Sequence, residues 1–278
     1  MPQSDTTRQR FAGAPRLTQL RGTVVPLVTP VDAEHRVCEQ SVVRLLDSLR
    51  GSVDGYMPAL STGEGWKLSL KQWIDMVHLT VAHADGAPVL AGVEVGGTEQ
   101  ILTRAVLAEA LGADAIVVPP PFPVEGRPRP TLVEHFKEIV DESPLPVVVY
   151  HENAVSKMEL DLAQLREVLS LPGVVGVKES SGDVQFTKEL LADEVPVPVF
   201  QGWEHQIADV PGVQGFVGPL ANLDPRACQA AVTYFSAESQ ERVNALSEQY
   251  QLLADDWYLH VKAELVRRGV ITTALPVD

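Results

Sequence analysis

The sequence predicts an α/β chain folded as a (β/α)8 barrel, with a helical extension at its C-terminal end. Short apolar runs alternate eight times with helical segments, and no internal linker interrupts the series. The length of 278 residues is also common for α/β barrels. An open doubly wound sheet is the alternative, but such a sheet usually has a glycine-rich turn after its first strand. Residues 29–32, Thr-Pro-Val-Asp, do not form such a turn.

The strands are predicted from apolar, β-branched runs that are bounded by glycine, proline or small polar residues. These runs are residues 22–30, 53–60, 88–95, 113–118, 146–150, 174–177, 197–201 and 213–217. The first is assigned as a strand despite its prolines. Strands that alternate with helices are parallel, so their carboxyl ends meet at one end of the barrel, where ligands bind.

The helices are predicted from apolar residues spaced by three and four, as at Val42, Leu45, Leu46 and Leu49. They are residues 39–50, 70–83, 99–112, 131–142, 161–169 and 185–192. From Asp224 onward the chain is expected to be helical nearly to residue 269, because Asn222 or Asp224 can cap a helix and Pro225 suits its first turn.

The chain therefore divides into three parts. Residues 1–20 are expected to be a flexible arm, since residues 1–16 are polar, contain several arginines and lack the apolar region of a secretory signal. Residues 21–222 are assigned to the barrel, and residues 223–278 to helices that pack on it.

Composition restricts the partners and the compartment. The formal net charge of −15 argues against nucleic acid and anionic membranes. No apolar stretch is long enough to span a bilayer. Cys38 and Cys228 are far apart in ordinary helical contexts, which favours free thiols and a cytoplasmic location.

One lysine stands where a buried strand is predicted to end. Residues 174–177 are followed by Lys178 and then by the small polar loop Glu-Ser-Ser-Gly-Asp. Strand alternation places Lys178 on the same face as Val174 and Gly176. A partly desolvated amine has a lowered pKa and can attack a ketone to form a Schiff base. On this stretch alone, a solvated charge that ends a strand is the alternative.

Two further groups are expected at the same end of the barrel. Ser61, Thr62 and Gly63 follow the second strand, and Tyr150 ends the fifth, beside the strand of Lys178. Amides and hydroxyls in a Ser-Thr-Gly turn can hold a carboxylate. A tyrosine hydroxyl near a lysine amine can shuttle protons during carbinolamine formation and carbon–carbon cleavage.

With these residues the chain resembles the dihydrodipicolinate synthase/N-acetylneuraminate lyase family of class I, Schiff-base-forming, pyruvate-type aldolases. The resemblance covers about residues 21–269 and rests on Val-Thr-Pro at 28–30, Leu-Ser-Thr-Gly-Glu at 60–64, Tyr150 and Gly-Val-Lys at 176–178. It implies that Lys178 is the nucleophile, that Tyr150 is the general acid/base, and that the Val217 carbonyl faces the imine. It also implies a homotetramer or dimer acting on a 2-oxo acid and an aldehyde.

The departures from the family pattern concern the second substrate. Val155 stands where the synthase has an arginine for that substrate's carboxylate, and Phe122 stands where it has a tyrosine. Both argue against the synthase of lysine biosynthesis. Sialic acid lyases have Gly-Asp-Glu after strand seven for sugar hydroxyls, and this chain has Gly202, Trp203 and Glu204. Gly202 and Glu204 are therefore predicted to bind substrate.

Two other functions stay open. Glu-Asn-Ala-Val at 152–155 and Gly-Trp at 65–66 are similar to the 5-dehydro-4-deoxyglucarate dehydratase branch, whose lysine however precedes Asp-Gly rather than Glu-Ser. A non-catalytic keto-acid sensor on the same scaffold would fit Phe122 and Val155. No organic cofactor is implied, because the imine itself is the electron sink.

Histidines and loop arginines are secondary candidates. No HExxH or paired-cysteine motif occurs, so no metal site is predicted. His151 and His205 follow predicted strands and are possible substrate contacts, although surface positions are the default. Arg127 and Arg129 follow strand four and are candidates for an anionic substrate or a neighbouring subunit, with a solvated loop as the default.

Overall fold

A computed structural model describes residues 15–123, 126, 128–154, 156–158 and 161–278 of the chain. Eight parallel strands run in the sheet order β2-β1-β8-β7-β6-β5-β4-β3. They are β1 Gly22–Pro26, β2 Gly55–Met57, β3 Leu90–Gly92, β4 Ala115–Val118, β5 Val147–His151, β6 Val174–Glu179, β7 Val199–Gln201 and β8 Gly215–Phe216. A parallel bridge between Tyr56 and Val89 joins β2 to β3, so the sheet closes and the predicted (β/α)8 barrel is confirmed.

Helices surround the barrel. They are α1 Pro15–Thr18, α2 Glu39–Leu49, α3 Leu70–His83, α4 Thr98–Leu111, α5 Leu132–Glu142, α6 Leu162–Leu169, α7 Val184–Ala192, α8 Pro225–Tyr234, α9 Ala237–Gln249 and α10 Trp257–Arg267. Polar side chains that cap free backbone amides mark where some of the helices begin. At α5, Thr131 and Glu134 form a capping box that satisfies amides in the first turn.

The C-terminal extension, expected to be helical nearly to residue 269, consists of three helices. Phe235 ends α8 with a φ of 47°, a conformation that helices do not continue through. The side chain of Asp224 makes no capping bond. Asn222 does not cap α8 either, because its amide accepts from the Val28 amide at 3.1 Å and donates to the Pro26 carbonyl at 2.9 Å. It thus ties β1 to the segment after β8.

The barrel interior is a core of its own. Inward-facing residues of the strands and the loops that follow them pack together, including Val117, Val148, Tyr150, Phe200 and Val217. Two further clusters fill the space between the strands and the helices. Because the interior is filled with side chains, the free space lies at the ends of the barrel.

A bulge in β6 changes which residues share a face with Lys178. The register against β5 shifts between Val147 and Val148. As a result Val174 packs in the cluster outside the barrel, together with Val177, while Val175 packs inside. The expectation that Val174 lies on the face of Lys178 was therefore wrong, since an extra residue in a strand reverses the alternation.

The end of the predicted arm is structured. Residues 15–18 form α1, and Leu17 and Leu20 are buried in the interior cluster of the barrel. Residues 1–14 of the arm lie outside the described part of the chain. Among the described residues, no helix is both long and apolar enough to cross a membrane.

Candidate active site

The Lys178 amine lies inside the barrel near its carboxyl end. The residue is 5% exposed and pairs in register with Tyr150 of β5. Its Nζ lies 4.0 Å from the centroid of the Tyr150 ring. Burial lowers the pKa of Lys178 to about 8, and the carboxylates of Glu94, Glu204 and Glu152 oppose that shift. About a tenth of the amine is then neutral at pH 7, which makes it available as a nucleophile.

A hydroxyl chain leads away from Tyr150. Ser61 Oγ lies 3.2 Å from the Tyr150 hydroxyl and donates to Glu94 Oε1 at 2.6 Å. Burial is the main cause that raises the pKa of Glu94 to about 7 and that raises the pKa of Tyr150 further above its ordinary value. Neither shift is visible in the sequence, because Ser61 and Glu94 come from two different strand–helix loops and Tyr150 comes from strand β5.

The Ser-Thr-Gly stretch is a single turn of 3-10 helix, Ser61–Gly63, after β2. Gly63 is required there, because a Cβ would lie 2.7 Å from the Leu27 carbonyl oxygen. Thr29 Oγ1 donates to the Gly63 carbonyl at 2.7 Å, and the Gly63 amide donates to the Leu60 carbonyl at 2.8 Å. The polar backbone groups of Gly63 are thus used within the protein, while Ser61 and Thr62 face the cavity.

Glu64, the next residue, anchors the C-terminal segment. Its carboxylate and Lys262 of α10 form an ion pair in which both side chains are fully buried. The other carboxylate oxygen accepts from the Val277 amide at 2.9 Å, and Lys262 Nζ donates to the Leu275 carbonyl at 2.9 Å. The turn that carries Ser61 is therefore fixed to α10 and to the end of the chain.

The segment after β7 supplies the opposite wall. A Cβ at Gly202 would lie 1.9 Å from Ser180 Oγ, so only glycine fits. Trp203 Nε1 donates to the Ser180 carbonyl at 3.1 Å. Glu204 is 2% exposed, accepts from the Leu220 amide at 3.0 Å, and burial raises its pKa to about 7.

These groups enclose a cavity of about 290 Å³. The lining residues are Ser61, Thr62, Tyr150, Glu152, Ala154, Lys178, Ser180, Gly202, Trp203, Glu204, Pro219, Leu252, Leu253, Ala254, Asp255 and Trp257. Lys178 is the one cation among them, against three carboxyl groups. Residues 252–257, between α9 and α10, form a wall that sequence patterns did not indicate.

Some predicted site residues do not line this cavity. Val217 is buried in the interior cluster, and its amide donates to the Gln201 carbonyl at 2.9 Å. Neither it nor Gly63 lines the cavity. Phe122 lines a different cavity, beside Pro121 and His135. Val155 and Arg127 lie outside the described residues.

None of the secondary candidates that the structure describes lines the cavity. Arg129 donates to the carbonyls of Pro121, Ser156 and Lys157, and so joins the loops after β4 and β5. His151 is fully buried behind the barrel wall, with Nδ1 at 3.4 Å from Glu179 Oε1. His205 is exposed. Within the described ranges, no group of three or more His, Cys, Asp or Glu residues is placed to hold a metal ion.

Comparison with known proteins decides the family. The model of the dihydrodipicolinate synthetase family matches residues 19–277, nearly the whole described chain. The chain belongs to this family. The resemblance drawn from the sequence is thereby confirmed, and because the members of the family are lyases, the chain is a lyase.

Relatives within the family have different reactions. The 4-hydroxy-tetrahydrodipicolinate synthase of Stenotrophomonas maltophilia is 30% identical over 245 residues, 85% of this chain and 81% of that one. The N-acetylneuraminate lyase of Escherichia coli is 28% identical over 213 residues, 74% and 71% of the two chains. The crystal structure of dihydrodipicolinate synthase from Acinetobacter baumannii, complexed with pyruvate, has the same fold. Its TM-score is 0.82 at 22% identity, over 93% of this chain and 92% of that one.

Proposed function

We propose that this family member is a Schiff-base-forming aldolase for pyruvate or a related 2-oxo acid. The observation that carries the proposal is the buried Lys178 amine, which has a pKa of about 8 and lies over the Tyr150 ring at the cavity floor. An exposed lysine would be almost fully charged at neutral pH and a poor nucleophile.

The residues fit the steps of imine chemistry. Neutral Lys178 Nζ attacks the keto carbon, and Tyr150 carries the proton that the nitrogen loses to the new alkoxide, which completes the carbinolamine. Tyr150 then donates a second proton, with which the carbinolamine hydroxyl leaves as water. The resulting imine draws electrons from the adjacent carbon, so a carbon–carbon bond to an aldehyde can form or break there. Ser61 and Thr62, which line the cavity beside Tyr150, are proposed to hold the carboxylate of the 2-oxo acid.

The charge of the cavity supports a neutral, hydroxyl-bearing aldehyde as the second substrate. Glu152, Glu204 and Asp255 line it, and the positive charge that the protonated imine of Lys178 retains lies beside the carboxylate of the bound 2-oxo acid. A second carboxylate would meet like charges at short range, which is costly in a partly desolvated site. Carboxyl groups accept hydrogen bonds from hydroxyls, and Trp203 and Trp257 offer apolar surface for a carbon chain. We therefore propose a reaction other than that of the lysine-pathway synthase.

Two further proposals concern assembly and location. From the family resemblance we propose a homo-oligomer, either a tetramer or a dimer, which sedimentation of the purified protein would test. From the two free cysteines, Cys38 and Cys228, we propose a cytoplasmic location, which cell fractionation would test.

Borohydride trapping tests the central proposal. The protein is incubated with pyruvate and borohydride, and the intact mass is measured for wild type, Lys178→Ala and Lys188→Ala, an exposed lysine on α7 that serves as control. We expect a gain of one reduced pyruvate in wild type and Lys188→Ala, and none in Lys178→Ala. No gain in wild type, even with larger 2-oxo acids, would refute the aldolase and favour a sensor.

The trapped protein then directs the search for the second substrate. Neutral sugar aldehydes and acidic aldehydes are screened for consumption of pyruvate, and we expect turnover with the neutral set. Trapping only by a larger sugar-derived keto acid, with loss of water from it, would assign a dehydratase instead.

A further inference from the structure

A carboxyl group behind the cavity wall is connected to the reacting groups. Glu94, in the loop after β3, is not among the residues that line the cavity, yet its Oε1 accepts from Ser61 Oγ at 2.6 Å. Ser61 Oγ in turn lies 3.2 Å from the Tyr150 hydroxyl. The three side chains form an unbroken line from the ring over Lys178 to a carboxylate.

The hydrogen bonds run in the direction that proton transfer requires. Ser61 donates to Glu94, so its oxygen is free to accept from the Tyr150 hydroxyl. When Glu94 is protonated, both hydrogen bonds reverse their direction, so that Glu94 donates to Ser61 and Ser61 donates to Tyr150. One proton can thus move along the line in either direction, with only short hops between oxygens.

The loop between Ser61 and α3 makes room for this carboxyl group. A Cβ at Gly65 would lie 2.9 Å from Glu94 Oε2 and 2.3 Å from the Ala59 carbonyl oxygen. A larger residue at this position would displace Glu94 or the turn that carries Ser61.

We propose that Glu94 is the terminal proton donor and acceptor of the reaction, acting on the substrate through Ser61 and Tyr150. The inference rests on the proposed imine chemistry and adds the site where its protons are stored. Glu94 does not touch the substrate in this scheme.

The proton balance is complete at each step. When the carbinolamine loses water, its oxygen takes a proton from Tyr150 as the C–O bond breaks. Tyr150 is reprotonated by Ser61 and Ser61 by Glu94, which becomes a carboxylate, while the nitrogen lone pair forms the C=N bond. When the imine becomes an enamine, a proton from the methyl carbon returns along the same line to Glu94.

The charges that face Glu94 suit this role. Burial is the largest influence on its pKa and raises it to about 7, and the Glu152 carboxylate on the loop after β5 acts in the same direction. The Ser61 bond and the Lys178 ammonium on β6 act in the opposite direction. Tyr150 alone is a poor acid, because burial and the Glu94 charge raise its pKa. A carboxyl group that is hydrogen-bonded to Tyr150 through Ser61 and has a pKa of about 7 can return the proton to Tyr150, so that no free phenolate accumulates.

Exchange of the pyruvate methyl protons in D2O tests the inference without the unknown aldehyde. Proton NMR measures this exchange, and borohydride trapping measures imine formation on the same samples. The variants are Glu94→Gln, Glu94→Asp and Glu99→Gln, an exposed carboxyl five residues away that controls for the loss of one charge.

A proton relay through Tyr150, Ser61 and Glu94 predicts that the exchange rate and the final extent of trapping respond differently. In Glu94→Gln, the rate of exchange falls by about 10²-fold, the lower end of the range for general acid–base catalysis. The final extent of imine trapping persists, because slower loss of water from the carbinolamine delays the imine but does not prevent it. The midpoint of trapping moves below pH 8, because Glu94 no longer raises the pKa of Lys178. Glu94→Asp recovers part of the exchange rate, and Glu99→Gln matches wild type in both readouts.

Other results overturn the inference. Exchange by Glu94→Gln at the wild-type rate and with the wild-type pH profile would show that no proton passes through Glu94. Loss of the final extent of trapping together with exchange in both Glu94 variants would assign the residue a purely structural role. Absence of both readouts in wild type would overturn the proposed function, and the relay with it.

Discussion

Replacing Lys262 by methionine is expected to lower the melting temperature strongly, although the residue is remote from the cavity floor. Methionine fills the space but leaves the fully buried Glu64 carboxylate without its cation. Breaking a buried pair from one side costs about 3–5 kcal/mol. For 278 residues the unfolding entropy is about 0.6 kcal/mol per kelvin, so the melting temperature should fall by about 5–9 °C.

Calorimetry of three variants separates this effect from a general loss of charge. Lys71→Met removes one partner of an exposed pair with Asp75 and should cost less than about 1 kcal/mol, or under about 2 °C. The double variant Glu64→Gln/Lys262→Met should recover most of the loss, because no unpaired charge is left buried. A shift for Lys262→Met no larger than for Lys71→Met would refute the argument.

Two further predictions concern the cavity. The initial rate of imine trapping should rise about tenfold between pH 7 and pH 9 and then level off. The reason is that the Lys178 amine, with its lowered pKa of about 8, loses its proton over that interval. A rate that still rises steeply above pH 9 would contradict this. Gly202→Ala should keep pyruvate trapping but raise the KM for the aldehyde by about tenfold or more, since the new Cβ displaces Ser180 from the wall. Gly96→Ala, where a Cβ meets nothing within 4 Å, is its control, and equal KM values in the two variants would count against the predicted wall.

The fold was predictable because each unit of the barrel has a local signature. Apolar runs bounded by glycine and proline located all eight strands, and helical spacing located the helices between them. The ends of elements were less predictable. Strand β1 stops at Pro26 rather than residue 30, since proline gives no amide to a ladder, and the C-terminal helices are broken by a left-handed residue at Phe235.

The sequence predicted a site residue only where its residue type and its place at the end of a strand together indicate one chemical role. Lys178 and Tyr150 end strands, so their place at the barrel mouth follows from the fold. Glu94 gave no such signal, because an acidic residue in a glycine-rich loop is usually solvated. Its hydrogen bond to Ser61 depends on the relative placement of two loops, as does the wall formed by residues 252–257.

A crystal structure of the protein after reduction with pyruvate and borohydride would test most directly whether Lys178 forms the imine. We predict continuous density from Lys178 Nζ to the pyruvate carbon, with the carboxylate against Ser61 and Thr62 and the Tyr150 hydroxyl beside the former keto carbon. An adduct on another lysine, or a carboxylate that faces Glu152 and Glu204 instead, would contradict it.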